Sequence, residues 1–259
     1  MIYDSFIFEG HGLSEVTGKF DSGAVNGSVT ENYLVDAISK SAKKYLDKTG
    51  LTIHYDENNF TDKDLAGNTY SFKFGVELHI NSANGASGVE IFVPCKEKSV
   101  KSDIKLCADI ATTLGIPNRG VKSKDYNSGK TFTRTDGQAL NYTDYYGAIR
   151  DAWNRGVSLA LIEFGFIQND LSKLQANIDN LGYLVAKYIA ENCNKTVSKP
   201  SDSSQVTEEV KPSTQGKKGL IKVIKDGVSY GAYSVEDNAI NAIKKAIKDG
   251  FSKIILEGI

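Results

Sequence analysis

The chain has 259 residues, 40% of them hydrophobic, enough for one sizeable core and a small second unit. Lys and Arg number 31 against 32 Asp and Glu, a formal charge of -1, so no basic field draws nucleic acid and such a partner is disfavoured. Cys95, Cys107 and Cys193 are odd in number and lack metal-type spacing, which argues against a disulfide framework or a thiolate zinc site and predicts small core hydrophobes.

The first six residues carry no basic region and no small-residue cleavage site, so the expectation is a chain without a signal peptide. Residues 2–8 have the apolar density of a buried strand, which ends in Gly10-His11-Gly12, where two glycines let the backbone turn around the histidine. Ser28 to Glu31 predicts a helix start, with Leu34, Ala37, Ile38, Ala42 and Tyr45 recurring at three and four, and Lys43, Lys44 and Lys48 toward its end. Residues 71–80 alternate, with Phe72, Phe74, Val76, Leu78 and Ile80 on one face and Lys73, Glu77 and His79 on the other. A strand over 89–93, a helix over 100–114 and a helix over 142–155 follow. The apolar run 157–162 predicts a strand covered on both faces, and it is far short of the ~20 residues that cross a bilayer. Residues 171–192 predict the closing helix.

Residues 194–218 are rich in Ser, Thr, Pro, Lys, Glu and Gln without apolar periodicity, which predicts a linker between domains at 1–193 and 219–259. In the latter, two strands flank an Asp226-Gly227 turn, and Ser234 and Asp237 resemble a capping box. A stripe of Ala239, Ile240, Ile243, Ala246 and Ile247 predicts a helix ending at Gly250, and 251–256 a last strand, a ββαβ unit.

A zinc hydrolase needs about three protein ligands and an open position for water. Of the three histidines, His11 and His79 sit where a strand gives way to a loop, whereas His54 lies in a charged, Asn-rich segment and is left out. Taken singly, each histidine reads first as a hydrogen-bonded structural side chain, and Glu31 reads equally as a ligand or as the end of a Ser28-x-x-Glu31 capping box. Glu163 is different: it follows an unbroken apolar run and is flanked by Phe164, Gly165 and Phe166, where an unpaired carboxylate is costly.

Gly10-His11-Gly12, the Gly-Ala-Val-Asn-Gly run from Gly23 followed by Glu31, Glu-Leu-His-Ile-Asn around His79, Gly-Val-Glu-Ile-Phe from Gly88 and Ala-Leu-Ile-Glu-Phe-Gly-Phe-Ile-Gln-Asn from Ala160 come in a telling order. Over residues 1–193 the chain resembles the zinc-dependent N-acetylmuramoyl-L-alanine amidases of phage endolysins and bacterial autolysins. The resemblance implies a phosphorylase/hydrolase-like α/β/α fold, a Zn2+ ion on His11, Glu31 and His79, and Glu163 as the catalytic acid/base. The sequence departs locally, with Phe8-Glu9 before the first motif and Leu13 after it. Asn81 and Arg119 are candidate substrate contacts, Arg119 equally an ordinary surface residue.

Under that resemblance the substrate is peptidoglycan of a Gram-positive wall, and with no signal peptide the expected setting is a phage endolysin released through a holin lesion. A bacterial autolysin, a zinc carboxypeptidase-like peptidase and a non-catalytic wall-binding protein are the alternatives. The 219–259 unit resembles small wall-binding modules, and Tyr230 and Tyr233 would serve equally for sugar stacking or strand packing. A unit this small, with no disulfide, needs another surface, either the 1–193 domain or a second copy of itself, and self-association is the expectation.

Overall fold

The computed structural model describes residues 3–13, 18–56, 72–199, 221–225, 228–233 and 255–258. They belong to two units, Met1–Ser201 and Asp202–Ile259. In the first, the strands are β1 (Ser5–Glu9), β2 (Gly12–Leu13), β3 (Phe20–Asp21), β4 (Val25–Asn26), β5 (Val29–Thr30), β6 (Ile53–Asp56), β7 (Phe74–Asn81), β8 (Val89–Phe92), β9 (Asn118–Lys124), β10 (Thr131–Thr133) and β11 (Ser158–Phe166). Its helices are α1 (Glu31–Leu46), α2 (Lys101–Leu114), α3 (Gly147–Asn154), α4 (Leu171–Ala176) and α5 (Ile178–Asn192).

Seven strands form one sheet in the order β10-β9-β8-β11-β7-β1-β6. β6, β1, β7 and β11 run parallel, β8 is antiparallel to β11 and parallel to β9, and β10 closes the edge antiparallel to β9. The alternation of side chains along each strand divides the core in two. On one face Ile7, Val76, Leu78, Ile80 and Ile162 pack against Leu34, Val35 and Ile38 of α1, Leu106 and Ile110 of α2, and Leu181, Val185 and Ile189 of α5. On the other, Phe6, Phe8, Leu159 and Leu161 pack against Ile149 and Ala152 of α3. The result is the expected mixed α/β architecture with helices on both faces of a mostly parallel sheet.

Several boundaries differ from the sequence expectation. Thr30, not Ser28, caps α1, its hydroxyl accepting from Tyr33 N at 3.2 Å, because residues 25–30 turn back as the β4–β5 hairpin. Phe72 joins the α3-side cluster, since β7 begins after it and the alternation does not reach back that far. Residues 142–146 are not helical: Asp144 bridges to Asp125 and accepts Cys95 N at 2.7 Å, so α3 begins at Gly147. The closing helix is two helices broken at Asn177. β9 and β10 have no counterpart in the expectation, and His54 lies on β6 among the rings of Tyr3, Phe8 and Phe72. Cys95 and Cys107 are buried and free, and burial pushes their thiols up to about 12 and about 11.

The second unit has β12 (Ile221–Lys225) between β13 (Val228–Tyr233) and β14 (Ile255–Gly258), all antiparallel. The Asp226-Gly227 turn, the capping box, the helix ending at Gly250 and most of the linker lie outside the described residues.

One buried group gives the first unit a measurable pH signature. Asp103, 4% exposed on α2, accepts a 2.9 Å hydrogen bond from Tyr188 of α5, and burial raises its pKa from 3.8 to about 6. A carboxyl raised on folding adds stability that is full below the unfolded pKa and lost as pH rises through the folded one. Asp103→Asn keeps an acceptor for Tyr188 and cannot ionise. Relative to wild type it is expected to gain on the order of 2–3 kcal/mol between pH 4 and pH 7. Denaturant unfolding of both proteins at the two pH values checks this, and a constant difference would refute it.

Candidate metal centre

His11, Glu31 and His79 converge beyond the carboxyl ends of β1 and β7, where parallel strands open onto loops. One donor atom from each lies within 4.8 Å of the others. His11 follows β1 after Gly10, and its carbonyl is held by Asn32 Nδ2 of α1 at 2.7 Å. His79 lies near the end of β7. Glu31 opens α1 and is anchored twice by backbone amides: Oε2 accepts Ala24 N at 2.9 Å and Oε1 accepts Ile80 N at 2.8 Å. Its place is therefore fixed by the loop before the helix and by the strand beside it.

Glu31 Oε1 also lies 3.3 Å from His11 Nε2 and 3.0 Å from His79 Nδ1. Each imidazole turns its other nitrogen to a second carboxylate. His11 Nδ1 is 2.9 Å from Asp21, and His79 Nε2 is 3.0 Å from Glu77. Burial raises the Glu31 pKa, but the hydrogen bonds and charges of the two histidines outweigh it and bring the group down to about 2. Burial lowers His79, yet Glu31 and Glu77 carry it well above 6.5, and His11 rises for the same kind of reason. The pocket thus selects positive charge at its centre.

The glycines of the sequence motifs make room for this cluster. A Cβ at Gly10 would overlap the His79 ring, and one at Gly23 would lie 2.6 Å from Glu31 Oε2, at a positive φ of 64°. Two imidazole nitrogens and one carboxylate oxygen suit a borderline divalent cation such as zinc and leave a position open for water. The residues present fit the metal that the resemblance implies.

Glu163 pairs in register with His79 across the β11–β7 ladder, and strand alternation places it on the same sheet face. Its Oε2 is sealed from solvent without a hydrogen-bond partner. Burial pushes its pKa up to about 7, opposed by His79 and reinforced by Glu31 and Glu90. The other two candidates share one anchor: Asn81 Nδ2 donates to Glu90 Oε1 at 3.0 Å and Arg119 Nε to Glu90 Oε2 at 2.7 Å. Glu90 faces Glu163 across β8 and β11, and Lys122 also donates to it at 2.5 Å. Of these two, Arg119 keeps its side chain 38% exposed and is the more available to a ligand.

The sequence reading assigned no role to Asp21, Glu77 or Glu90. Asp21 and Glu77 were open to a search for carboxylates near a histidine, Glu77 by its i, i+2 place on the strand. Glu90 stands inside the Gly-Val-Glu-Ile-Phe motif, but only the ladder shows that it meets Glu163.

A family model described as N-acetylmuramoyl-L-alanine amidase, Amidase_3, matches residues 6–195. The chain belongs to this family. It is an enzyme, a hydrolase of the amidase type. Among solved structures the amidase is similar to Cwp6 from Clostridium difficile, at 21% identity and a TM-score of 0.57 over 73% of this chain and 29% of that one. It is also similar to the N-acetylmuramoyl-L-alanine amidase AmiC2 of Nostoc punctiforme, at 16% identity and a TM-score of 0.51 over 74% and 97%. These likenesses bear on the fold of the catalytic unit. No curated protein matches the chain.

Proposed function

We propose that the amidase is zinc-dependent, cleaves the bond between the lactyl group of N-acetylmuramic acid and L-alanine of the stem peptide, and serves as a phage endolysin against a Gram-positive wall. The observation that carries the chemistry is the convergence of His11, Glu31 and His79 with Glu163 in register beside them. When bound there, zinc supplies Lewis acidity toward water and toward a carbonyl. Glu163 takes the proton of the attacking water and returns it to the nitrogen of L-alanine as the amide breaks. Its sealed oxygen and its pKa of about 7 suit a group that must both accept and release a proton near neutrality. Arg119, partly exposed and tied to Glu90, is assigned a substrate contact, and Asn81 braces the same carboxylate.

The endolysin role is supported by the organisation of the chain, a catalytic unit followed by a polar stretch and a small separate unit. That second unit is assigned wall targeting with self-association. Among the described residues β13 and β14 pair with β12 alone, leaving outer edges that a second copy would cover. Among those residues no helix is long and apolar enough to cross a membrane.

Expression inside a Gram-positive host tests the role. Lysis that needs a co-expressed holin supports the endolysin, whereas lysis without one favours an autolysin. Sedimentation of the full chain across micromolar concentrations tests self-association, and a monomer throughout would leave the targeting role alone.

A further inference from the structure

The His79 ring is gripped at both ends. Nδ1 faces Glu31 Oε1 and Nε2 faces Glu77 Oε1, each at 3.0 Å. Glu77 stands two residues before His79 on β7, so alternation gives both side chains the same face of the sheet. Its neighbours in register are Phe8 on β1 and Leu161 on β11, both apolar members of the α3-side core. Glu77 is 5% exposed, and its Oε2 is buried with no hydrogen-bond partner. A carboxylate set among Phe and Leu with one oxygen unsatisfied is a poor choice for packing, because desolvation costs more than an apolar side chain of that size would. His11 repeats the arrangement with Asp21, but that carboxylate is 56% exposed and water can substitute for it. At Glu77 water cannot.

We propose that Glu77 is a positioning residue for the metal: by accepting a hydrogen bond from the Nε2–H of His79 it fixes the ring and leaves Nδ1 as the nitrogen that meets zinc. This rests on the metal reading given above. A ligating histidine whose second nitrogen donates to a carboxylate is held in one tautomer and orientation, and its basicity toward the metal rises. Glu31 fixes the other end of the same ring, so His79 has no freedom to present Nε2 instead.

The test uses the full chain and zinc alone as the probe. Glu77→Met exchanges the carboxylate for an apolar side chain of similar length. Competition with a chromophoric chelator is expected to show zinc affinity ~10- to 100-fold weaker than wild type. The substitution also leaves His79 Nε2 buried without its carboxylate, so the metal-free variant is expected to melt below metal-free wild type, and the two affinities are compared at a temperature where both proteins are folded. A loss of affinity under tenfold would overturn the proposal, and a lower melting temperature with unchanged affinity would return Glu77 to a structural role. Should the variant fail to fold, the wild-type protein decides. In the 15N histidine spectrum of the zinc-loaded chain, His79 should show a metal-bound Nδ1 and a protonated Nε2, and a metal-bound Nε2 would overturn the assignment. Wild type that takes up no zinc would sink the metal reading, and this inference with it; wild type and Glu77→Met equally tight would sink this inference alone.

Discussion

Glu163→Gln is expected to lower turnover on purified peptidoglycan by ~10²-fold or more while leaving zinc content and thermal stability close to wild type. The donor atoms that converge belong to His11, Glu31 and His79, and Glu163 has no hydrogen bond to any of them at its sealed oxygen. The substitution removes a proton carrier and keeps the side-chain volume between β7 and β8. Stability should hold or rise slightly, because burial already drives this carboxyl toward its neutral form. Side-by-side turnover, metal analysis and melting curves read all three. Near-normal turnover would reassign Glu163 to structure, and loss of zinc would place it among the ligands.

His79→Ala is expected to abolish both metal uptake and wall lysis, with zinc falling from about one per chain to near zero. The effect reaches beyond one lost ligand. His79 is the cation partner between Glu31 and Glu77, 5% and 6% exposed at their side chains, and without the ring these two carboxylates lose their shared partner. The metal-free variant should therefore melt well below metal-free wild type, since removing one member of a buried charged cluster costs ~3 kcal/mol or more. Metal analysis and calorimetry on the two metal-free proteins check it. Retained zinc at wild-type stoichiometry would exclude His79 as a ligand.

How much of this was legible in the sequence depends on the range of the interaction. The periodic stretch 34–45 on α1 and the apolar run 157–162 leading into β11 were readable because burial writes a pattern on the chain. β9 escaped because Asn118-Arg119-Gly120 and the lysines after it carry no apolar alternation, and its pairing with β8 makes it a strand. The helix expected over 142–155 started too early because nothing local distinguishes Tyr142 to Tyr146 from a helical turn; Asp144 is committed instead to Cys95 N and to the bridge with Asp125.

The candidate site divides the same way. His11 and His79 stood out as histidines at strand ends, and Glu163 as a charge in an apolar run. That Glu31 reaches both histidines, and that Glu163 lies beside His79, are facts of register between distant segments. Motif order made them an expectation. Glu77 looked like an ordinary polar residue on the open face of an alternating strand, and α3 with its partners closes that face.

The central claim is metal-assisted cleavage at one kind of bond, and end-group analysis of digested peptidoglycan with and without metal addresses it most directly. The zinc-loaded full chain should release new N-terminal L-alanine and no new reducing sugar. Chelation should stop the release, and stoichiometric zinc should restore it. Full release of N-terminal L-alanine by metal-free protein in excess chelator, or new reducing ends in place of L-alanine, would contradict the account.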